Sequence, residues 1–435
     1  MINDCDGVIG ATMAVEGTEG FWALINGPGG CRSRLQNLLR EQIHDYIKED
    51  LAICGSCFMS RQSRTPCTFL NPDDMIMGSG EKMTEGLDSV LEITDGDVVL
   101  IETMGASLQV AEREASVQAS ICSSRVVLSD IDLSSMSFSD GFDDMMRRMV
   151  EHIDPPKTDH IPLTVNVLGY GIFDSGWEDG KEDLRRLLRL LGVEIVSFIG
   201  CDGRDAIEKS GSASACILIH PETSRRTARY YEEVHGIPSI TPSSGSPVGY
   251  PSIRSFISEV AEFFGISSDA AMAEVDSSEK ELHKRLANCD RVAVALHGYG
   301  MMVEGLPSDI IPISRFMLDL LGLVPESVSL CRTNNRDDEV AVHDYLDSIG
   351  CGFAFEATVP NVGLRALFTD GLTASYLKDN QKGTAGIGYM MPFVEKQNFI
   401  SRSIVGLYGC RYLVDCVING QDLFFCDQPV GVDFR

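Results

Sequence analysis

The sequence lacks long apolar runs and is poor in basic residues. No stretch approaches eighteen consecutive apolar residues, so we expect no membrane-spanning helix. The chain has 36 basic and 64 acidic residues and a net charge of −28, which disfavours nucleic acid and anionic lipid as partners because both present negative phosphates. The N-terminus has neither a basic segment nor an apolar core, so we expect no secretory signal and a cytoplasmic location.

Two catalytic signatures are also missing. The sequence has no Gly-x-x-x-x-Gly-Lys-Ser/Thr loop, so this chain is not expected to be a P-loop ATPase or to bind a nucleotide itself. No serine, histidine and aspartate fall at a spacing that predicts a hydrolytic triad. The many carboxylates are interpreted as solvated surface, and the sequence therefore assigns no catalytic residue.

What is present is an alternation of short apolar strands and amphipathic helices. The 435 residues correspond to about three domains of roughly 150 residues, and the alternation favours parallel sheets covered on both faces. We predict three doubly wound α/β domains at residues 1–156, 157–266 and 267–435, the third beginning its strands at 291–296. Ligands of such sheets bind in the loops at the carboxyl ends of strands. These loops are predicted at 26–31, 102–107, 200–204 and 297–300.

The 14 cysteines are densest near the start of the chain. A cytosolic protein keeps its thiols reduced, so they indicate burial, metal binding or redox chemistry rather than disulfides. Five fall in the first 67 residues, namely Cys5, Cys31, Cys54, Cys57 and Cys67. Cys31 follows a glycine turn at a predicted helix N-terminus, which favours the thiolate that binds metal. Thiolates hold iron–sulfur clusters and zinc, and a Cys-x-x-Cys pair also suits dithiol redox chemistry. Burial as small core residues is the alternative.

Two glycines and one histidine are further candidates for binding. Gly29 and Gly30 precede Cys31, and the missing Cβ lets the backbone pass close to a bulky group. A plain strand-to-helix turn explains the same glycines. His220 ends a predicted strand and so lies in the loop region where a site is expected. A structural histidine bonded to the backbone is the other interpretation.

Several motifs, in order along the chain, resemble the nitrogenase component 1 family. Cys5 and the turn Gly27–Cys31 resemble the opening of that family, where a cysteine is followed after a similar gap by a Gly-Cys pair. Three further regions carry the resemblance: residues 68–83, residues 231–238 followed by 246–257, and residues 406–410. The family includes the molybdenum–iron protein subunits, their cofactor-assembly relatives, the dark-operative protochlorophyllide reductase subunits and the reductase of coenzyme F430 synthesis.

The resemblance implies a fold, a cofactor and partners. The fold would be three Rossmann-like domains. The cofactor would be an iron–sulfur cluster, either [4Fe-4S] or larger and P-cluster-like, held partly by Cys5 and Cys31 and shared with a partner subunit. That partner would be a paralogous sister subunit or a second copy, in an α2β2-type assembly or a homodimer. A separate, homodimeric, ATP-dependent iron protein would donate electrons, which agrees with the missing P-loop.

The sequence departs from the family at two positions. The family's third cluster cysteine follows the strand that corresponds to residues 98–102, but Thr103–Ser107 contains no cysteine. Cys54, Cys57, Cys67, Ser107 or the partner subunit would supply the replacement ligand. His220 is followed by Pro221, whereas the subunit with the active-site cofactor carries a His-Cys pair there. This disfavours cofactor-based reduction of dinitrogen by this chain alone.

Three functional hypotheses follow. The first is a subunit of a nitrogenase-like oxidoreductase that reduces a small or cofactor-type substrate with low-potential electrons. The second is a scaffold that holds an iron–sulfur cluster or metallocofactor without turnover, which the additional cysteines favour. The third is a zinc-bound α/β protein that uses Cys54, Cys57 and Cys67. The substrate is not readable from the sequence.

Overall fold

The computed structural model describes nine stretches of the chain, and they contain three parallel sheets. These stretches are residues 5–39, 64–103, 124–128, 133–289, 295–332, 335–360, 363–380, 382–393 and 400–421. The candidates Cys54, Cys57 and Ser107 lie outside the described residues. Within them, no helix combines the length and the apolar character needed to cross a bilayer.

The first sheet is covered by helices on both faces. Its parallel strands are β1 (Phe21–Asn26), β2 (Asp97–Glu102) and β3 (Val126–Leu128), in the order β1-β2-β3. The helices are α1 (Gly7–Glu16), α2 (Gly29–Leu39), α3 (Pro72–Met77), α4 (Gly80–Ile93) and α5 (Phe138–Ile153). Side chains alternate along a strand, so Leu24 and Leu100 pack with α4 while Ile25 and Val99 pack in the core that contains α1 and α5.

The second sheet has four parallel strands. They are β4 (Thr164–Leu168), β5 (Glu194–Ile199), β6 (Ala215–Leu218) and β7 (Ser239–Ile240), in the order β5-β4-β6-β7. The helices are α6 (Trp177–Leu190), α7 (Arg204–Lys209), α8 (Arg225–Tyr230) and α9 (Gly249–Phe264). Leu184, Leu187 and Leu188 of α6 are buried, as the helical spacing of these leucines predicts.

The third sheet also has four parallel strands. They are β8 (Gly300–Gly305), β9 (Val324–Leu330), β10 (Leu364–Asp370) and β11 (Gly383–Met390), in the order β11-β10-β8-β9. The helices are α10 (Asp269–Ala287), α11 (Pro307–Leu321), α12 (Arg336–Ser348), α13 (Gly371–Asp379) and α14 (Gly406–Asn419). Three parallel sheets with helices between their strands confirm the predicted α/β class. The domain boundaries at 156 and 266 stay a prediction.

The predicted strand at 291–296 lies mostly outside the described residues. Its last two residues, Ala295 and Leu296, are helical, and the first described strand of the third sheet is Gly300–Gly305. The predicted loop 297–300 therefore follows a helical turn and leads into this strand. A short apolar run has no period that separates a strand from a buried helix, and Leu296 is indeed buried within its helical turn.

Helices α1 and α5 pack closely because glycines face each other at their crossing. A Cβ on Gly10 would lie 2.1 Å from the carbonyl oxygen of Phe138, and one on Gly141 would lie 2.2 Å from that of Gly7. Both distances are far shorter than a non-bonded contact between a carbon and an oxygen atom. The glycines therefore set the separation of the two helices, and with it the position of the N-terminus of α5.

We expect Gly10→Ala to destabilise the protein by about 1–3 kcal/mol, because the added methyl overpacks this crossing. Differential scanning calorimetry would show a lower melting temperature. Gly30→Ala is the matched control, since Gly30 is also helical and its Cβ would meet no residue of the described part of the chain within 4 Å. An equal loss of stability in the two variants would contradict the packing explanation.

Candidate functional site

The fold holds Cys67 beside the glycine turn that precedes Cys31. Residues 64–70 run along the edge of β1, where they exchange backbone hydrogen bonds of 2.8 and 3.0 Å with Ile25. The Sγ of Cys67 donates a hydrogen bond to the carbonyl oxygen of Gly27 at 3.2 Å. Two thiols that are distant in sequence, Cys31 and Cys67, are therefore neighbours at the carboxyl end of β1.

Buried polar side chains fix this arrangement. The Oγ1 of Thr68 donates to the Oδ1 of Asn26 at 3.0 Å and accepts from the backbone N–H of Gly27 at 3.1 Å. Asn26 is fully buried and also donates to the Oγ of Ser79 at 3.1 Å. Because these buried groups depend on one another for hydrogen bonds, the turn and the segment that carries Cys67 are held as one unit.

The surroundings of Cys67 act on its ionisation in opposite directions. Burial raises the pKa of the Cys67 thiol, and the nearby Cys31 adds to this rise. The backbone N–H of Phe69, 3.4 Å from Sγ, and the cations of Arg32 and Lys82 act to lower the pKa. Among the described residues, a thiolate here would thus have the N–H of Phe69 as a hydrogen-bond donor and the positive charges of Arg32 and Lys82 nearby.

Gly29 and Gly30 differ in what surrounds them. A Cβ on Gly29 would lie 2.6 Å from the ring of Phe69, so the bulky group that passes this glycine belongs to the chain itself. A Cβ on Gly30 would meet none of the described residues within 4 Å. Among these residues, the space next to Gly30, one residue before Cys31, is open to a cofactor or another chain. The prediction that these glycines bind a cofactor stays a prediction.

An exposed apolar surface adjoins the two thiols. Helix α3 buries none of its residues. Phe69, Ile76 and Met77 are 53%, 78% and 85% exposed. The Nζ of Lys82 ties this region together, since it lies 2.6 Å from the Oδ2 of Asp74 and donates to the carbonyl oxygen of Phe69 at 3.2 Å. Exposed apolar clusters of this kind mark contact surfaces.

The thiols that the chain brings together suit an iron–sulfur cluster in kind but are incomplete in number. Among the described residues, no group of three or more His, Cys, Asp and Glu side chains is placed to hold a metal. The half-buried thiols of Cys31 and Cys67, the N–H donor of Phe69 and the open space at Gly30 fit a thiolate-bound cluster. Its remaining ligands would come from outside this pair.

Cys5, the other described cluster candidate, lines a cavity where residues from all three sheet regions meet. This central cavity has a volume of about 80 Å³, and its apolar wall is formed by Phe138, Phe173 and Leu306. Phe138 and Phe173 are in edge contact, with ring centroids 5.4 Å apart. The cavity lies at the carboxyl ends of β4, β8, β9 and β11, the edge at which ligands of parallel sheets bind.

His220 is buried behind this cavity, and protein groups bond both of its ring nitrogens. Nε2 lies 3.0 Å from the Oδ1 of Asp174, and Nδ1 lies 3.0 Å from the Oγ of Ser308. The carboxylate of Asp309 is 3.7 Å from Nδ1. Glu222 accepts hydrogen bonds from the backbone N–H and the hydroxyl of Ser308 at the start of α11. We call these five residues the histidine–carboxylate network.

The network favours an imidazolium. Burial opposes a charged ring, but Asp309, Asp174 and Glu222 outweigh it and raise the pKa of His220 from 6.5 to about 10. Burial also raises the pKa of Asp309 to about 6, although His220 acts in the opposite direction. The predicted role of His220 in binding a cofactor stays a prediction, and these contacts show that its ring already serves to join the second and third sheet regions.

Sequence reasoning missed several residues of this region. Composition alone places Cys331 among the core cysteines, but it is partly exposed and lines the central cavity with Cys5. Asp174 and Asp309 gave no signal because isolated aspartates in an acidic chain are expected at the surface. Only the position of Cys331 directly after the strand that ends at Leu330 marks it as a site candidate, by the same rule that selected His220.

Comparison with known families agrees with the fold and with the early motifs. The family model described as Nitrogenase component 1 type Oxidoreductase matches residues 7–421. Two solved structures share the fold. The structure described as Nitrogenase Cp1 at pH 6.5 has a TM-score of 0.76 and 16% identity, and covers 95% of this chain and 91% of that chain. The structure described as Nitrogenase Cp1 at pH 5 has a TM-score of 0.65 and 12% identity, and the match covers 95% of this chain and 88% of that chain.

Three curated relatives match shorter segments, and all three are the same type of subunit of a light-independent protochlorophyllide reductase. That of Jannaschia sp. is 26% identical over 127 residues, 29% of this chain and 24% of the relative. That of Cereibacter sphaeroides is 24% identical over 184 residues, which cover 42% of this chain and 33% of the relative. That of Nephroselmis olivacea is 30% identical over 148 residues, which cover 32% of this chain and 27% of the relative. The matched part therefore spans only about a quarter to a third of these relatives.

Proposed function

The chain belongs to the nitrogenase component 1 type oxidoreductases, and we propose that it is a subunit of a cytoplasmic, nitrogenase-like iron–sulfur complex. The complex would receive low-potential electrons from a separate, homodimeric, ATP-dependent iron protein and reduce a small or cofactor-type substrate. The observation that carries this proposal is that Cys67 is held beside the glycine turn that precedes Cys31, close enough for the two thiols to interact electrostatically.

Cys31 and Cys67 would hold an iron–sulfur cluster, either [4Fe-4S] or larger and P-cluster-like, with Cys5 as the further thiol that the family resemblance adds. A bound cluster supplies one-electron transfer at low potential. The chain's own contribution is to shield and tune it. The N–H of Phe69 donates toward the Sγ of Cys67, and the cations of Arg32 and Lys82 lie nearby. Such contacts to sulfur set the potential of a cluster.

The exposed surface of Phe69, Ile76 and Met77 supports sharing of this cluster with a sister subunit or a second copy of the chain. Large apolar side chains that are 53–85% exposed next to a redox site are stabilised when a partner covers them. A covering partner would also exclude water from the thiols. It would be in place to contribute the ligands that the described residues do not provide.

The proposal is tested on anaerobically purified protein, together with any subunit that copurifies. Iron and acid-labile sulfide are measured, and EPR spectra are recorded after addition of a family iron protein, dithionite and MgATP. We expect a reduced-cluster signal that requires MgATP and is absent with MgADP. Bound zinc without iron would contradict the proposal. Transfer of the cluster to an apo-acceptor without ATP, with no ATP-dependent reduction, would instead identify a scaffold.

A further inference from the structure

Phe69 has a backbone conformation that glycine adopts far more readily than a bulky residue does. Its φ is +53°, in the left-handed region where the Cβ of an L-residue crowds the backbone. Strained residues persist only where surrounding contacts hold them, and they are frequent at functional sites. Because Phe69 lies two residues after Cys67, the strain falls beside the thiols of the proposed cluster.

The contacts on both sides of Phe69 explain why this conformation persists. In the preceding peptide group, the N–H of Phe69 lies 3.4 Å from the Sγ of Cys67. In the following peptide group, the carbonyl oxygen of Phe69 accepts from the Nζ of Lys82 at 3.2 Å. The N–H of that same group, which belongs to Leu70, donates to the carbonyl oxygen of Gly27 at 3.0 Å. Because a return of φ to negative values would turn the two peptide groups relative to each other, it would break the bond to sulfur or the bonds to Lys82 and Gly27.

Further contacts fix the side chains on either side of this turn. The Nζ of Lys82, in the first turn of α4, lies 2.6 Å from the Oδ2 of Asp74, so the ammonium group is held from two directions. The ring of Phe69 packs against Gly29, where a Cβ would lie 2.6 Å from it. The guanidinium of Arg32 lies 5.6 Å from the ring centroid, within the range of a cation–π contact. The strained residue is therefore held through both its backbone and its ring.

We propose that Phe69 and Lys82 are positioning residues of the redox centre, a role that rests on the proposed function and deepens it. Lys82 holds the carbonyl group of Phe69, and the left-handed turn then keeps the N–H of Phe69 on the sulfur of Cys67. Hydrogen bonds to a ligating sulfur stabilise the more negative, reduced state of a cluster and so raise its reduction potential. Lys82 thus acts through the position of this N–H in addition to its charge.

The test compares Lys82→Met and Lys82→Arg with wild type after anaerobic purification, and its first readout is hydrogen exchange of the Phe69 N–H at residue resolution. Lys82→Met keeps an unbranched side chain and removes the donor, so exchange is expected to be faster by roughly two- to tenfold, the factor for loss of one hydrogen bond. Lys82→Arg keeps a donor and is expected to exchange as wild type does. Lys280→Met is the matched control, because Lys280 is exposed on α10, and it is expected to leave this exchange unchanged.

The second readout is the midpoint potential of the cluster, measured by EPR during reductive titration. We expect a more negative potential for Lys82→Met and the wild-type value for Lys82→Arg. A lower potential without faster exchange would show that only the charge of Lys82 matters, and it would overturn the positioning role, as would equal exchange in Lys82→Met and wild type. Absence of iron from wild type would instead contradict the proposed function, and the exchange result would still decide whether Lys82 holds the Phe69 N–H.

Discussion

Cys31→Ala is expected to lose most of the iron and acid-labile sulfide that the proposed cluster would give the wild-type protein after anaerobic purification. The physical reason is that Cys31 follows Gly30, which has no described residue within 4 Å of the Cβ position, and has Cys67 as a neighbour. Without the Cys31 thiolate, one iron atom of the proposed cluster would lack its protein ligand and would dissociate or react with solvent. Elemental analysis, sulfide assay and the visible absorption band measure the loss.

Three further cysteine variants sharpen this prediction. Cys67→Ala is expected to lose iron to a similar extent, because Cys67 is held beside the same turn. Cys5→Ala reports whether the thiol that lines the central cavity also serves the cluster. Cys289→Ala is the control, since Cys289 is exposed at the end of α10 and should keep full iron. Full retention of iron by Cys31→Ala would refute the ligand assignment.

His220→Leu is expected to destabilise the protein by about 3–5 kcal/mol, the range found when one partner of a buried ion pair is removed. The imidazolium of His220 faces three carboxylates, those of Asp174, Glu222 and Asp309, and leucine would leave them without a positive charge. Calorimetric or denaturant unfolding measures the loss. His283→Leu is the control, because His283 is exposed on α10. Equal melting temperatures for wild type and His220→Leu would contradict a charged network.

The same network predicts a pH dependence with a definite sign. The pKa of His220 rises from 6.5 in the reference state to about 10 in the folded protein, so its stabilising contribution is complete below about 6.5 and is lost as the pH rises toward 10. The pKa of Asp309 is raised from 3.8 to about 6, and its contribution likewise falls as the pH rises through that window. The stability of wild type should decline more steeply than that of His220→Leu between pH 6.5 and 10.

Local patterns were sufficient for most of the fold. The runs at β1, β2 and β4, and the leucine spacing of α6, predict their elements because burial of one helix face or of a whole parallel strand leaves a periodic trace in the sequence. At Ala295 and Leu296 the run predicted a strand, but these two residues are helical and the described strand begins at Gly300. A short apolar run has no period that distinguishes a strand from a buried helix.

The candidate site was less predictable than the fold. The family motif identified Cys5 and Cys31, and the cysteine count included Cys67, but neither selected Cys67 over Cys54 and Cys57. The pairing of Cys67 with the turn depends on backbone hydrogen bonds to Ile25, which a side-chain pattern does not encode. The same holds for the carboxylates around His220.

The sequence by itself determined the fold class, the family resemblance and the concentration of thiols in the first 67 residues. These properties follow from local periodicity, composition and short motifs. The tertiary structure alone decided which groups meet: Cys31 with Cys67, Cys5 with Cys331 at the central cavity, and His220 with its carboxylates. The physical reason is that parallel strands far apart in sequence end at a common edge. There, the contacts of a residue depend on strand order and helix packing and not on its neighbours in the chain.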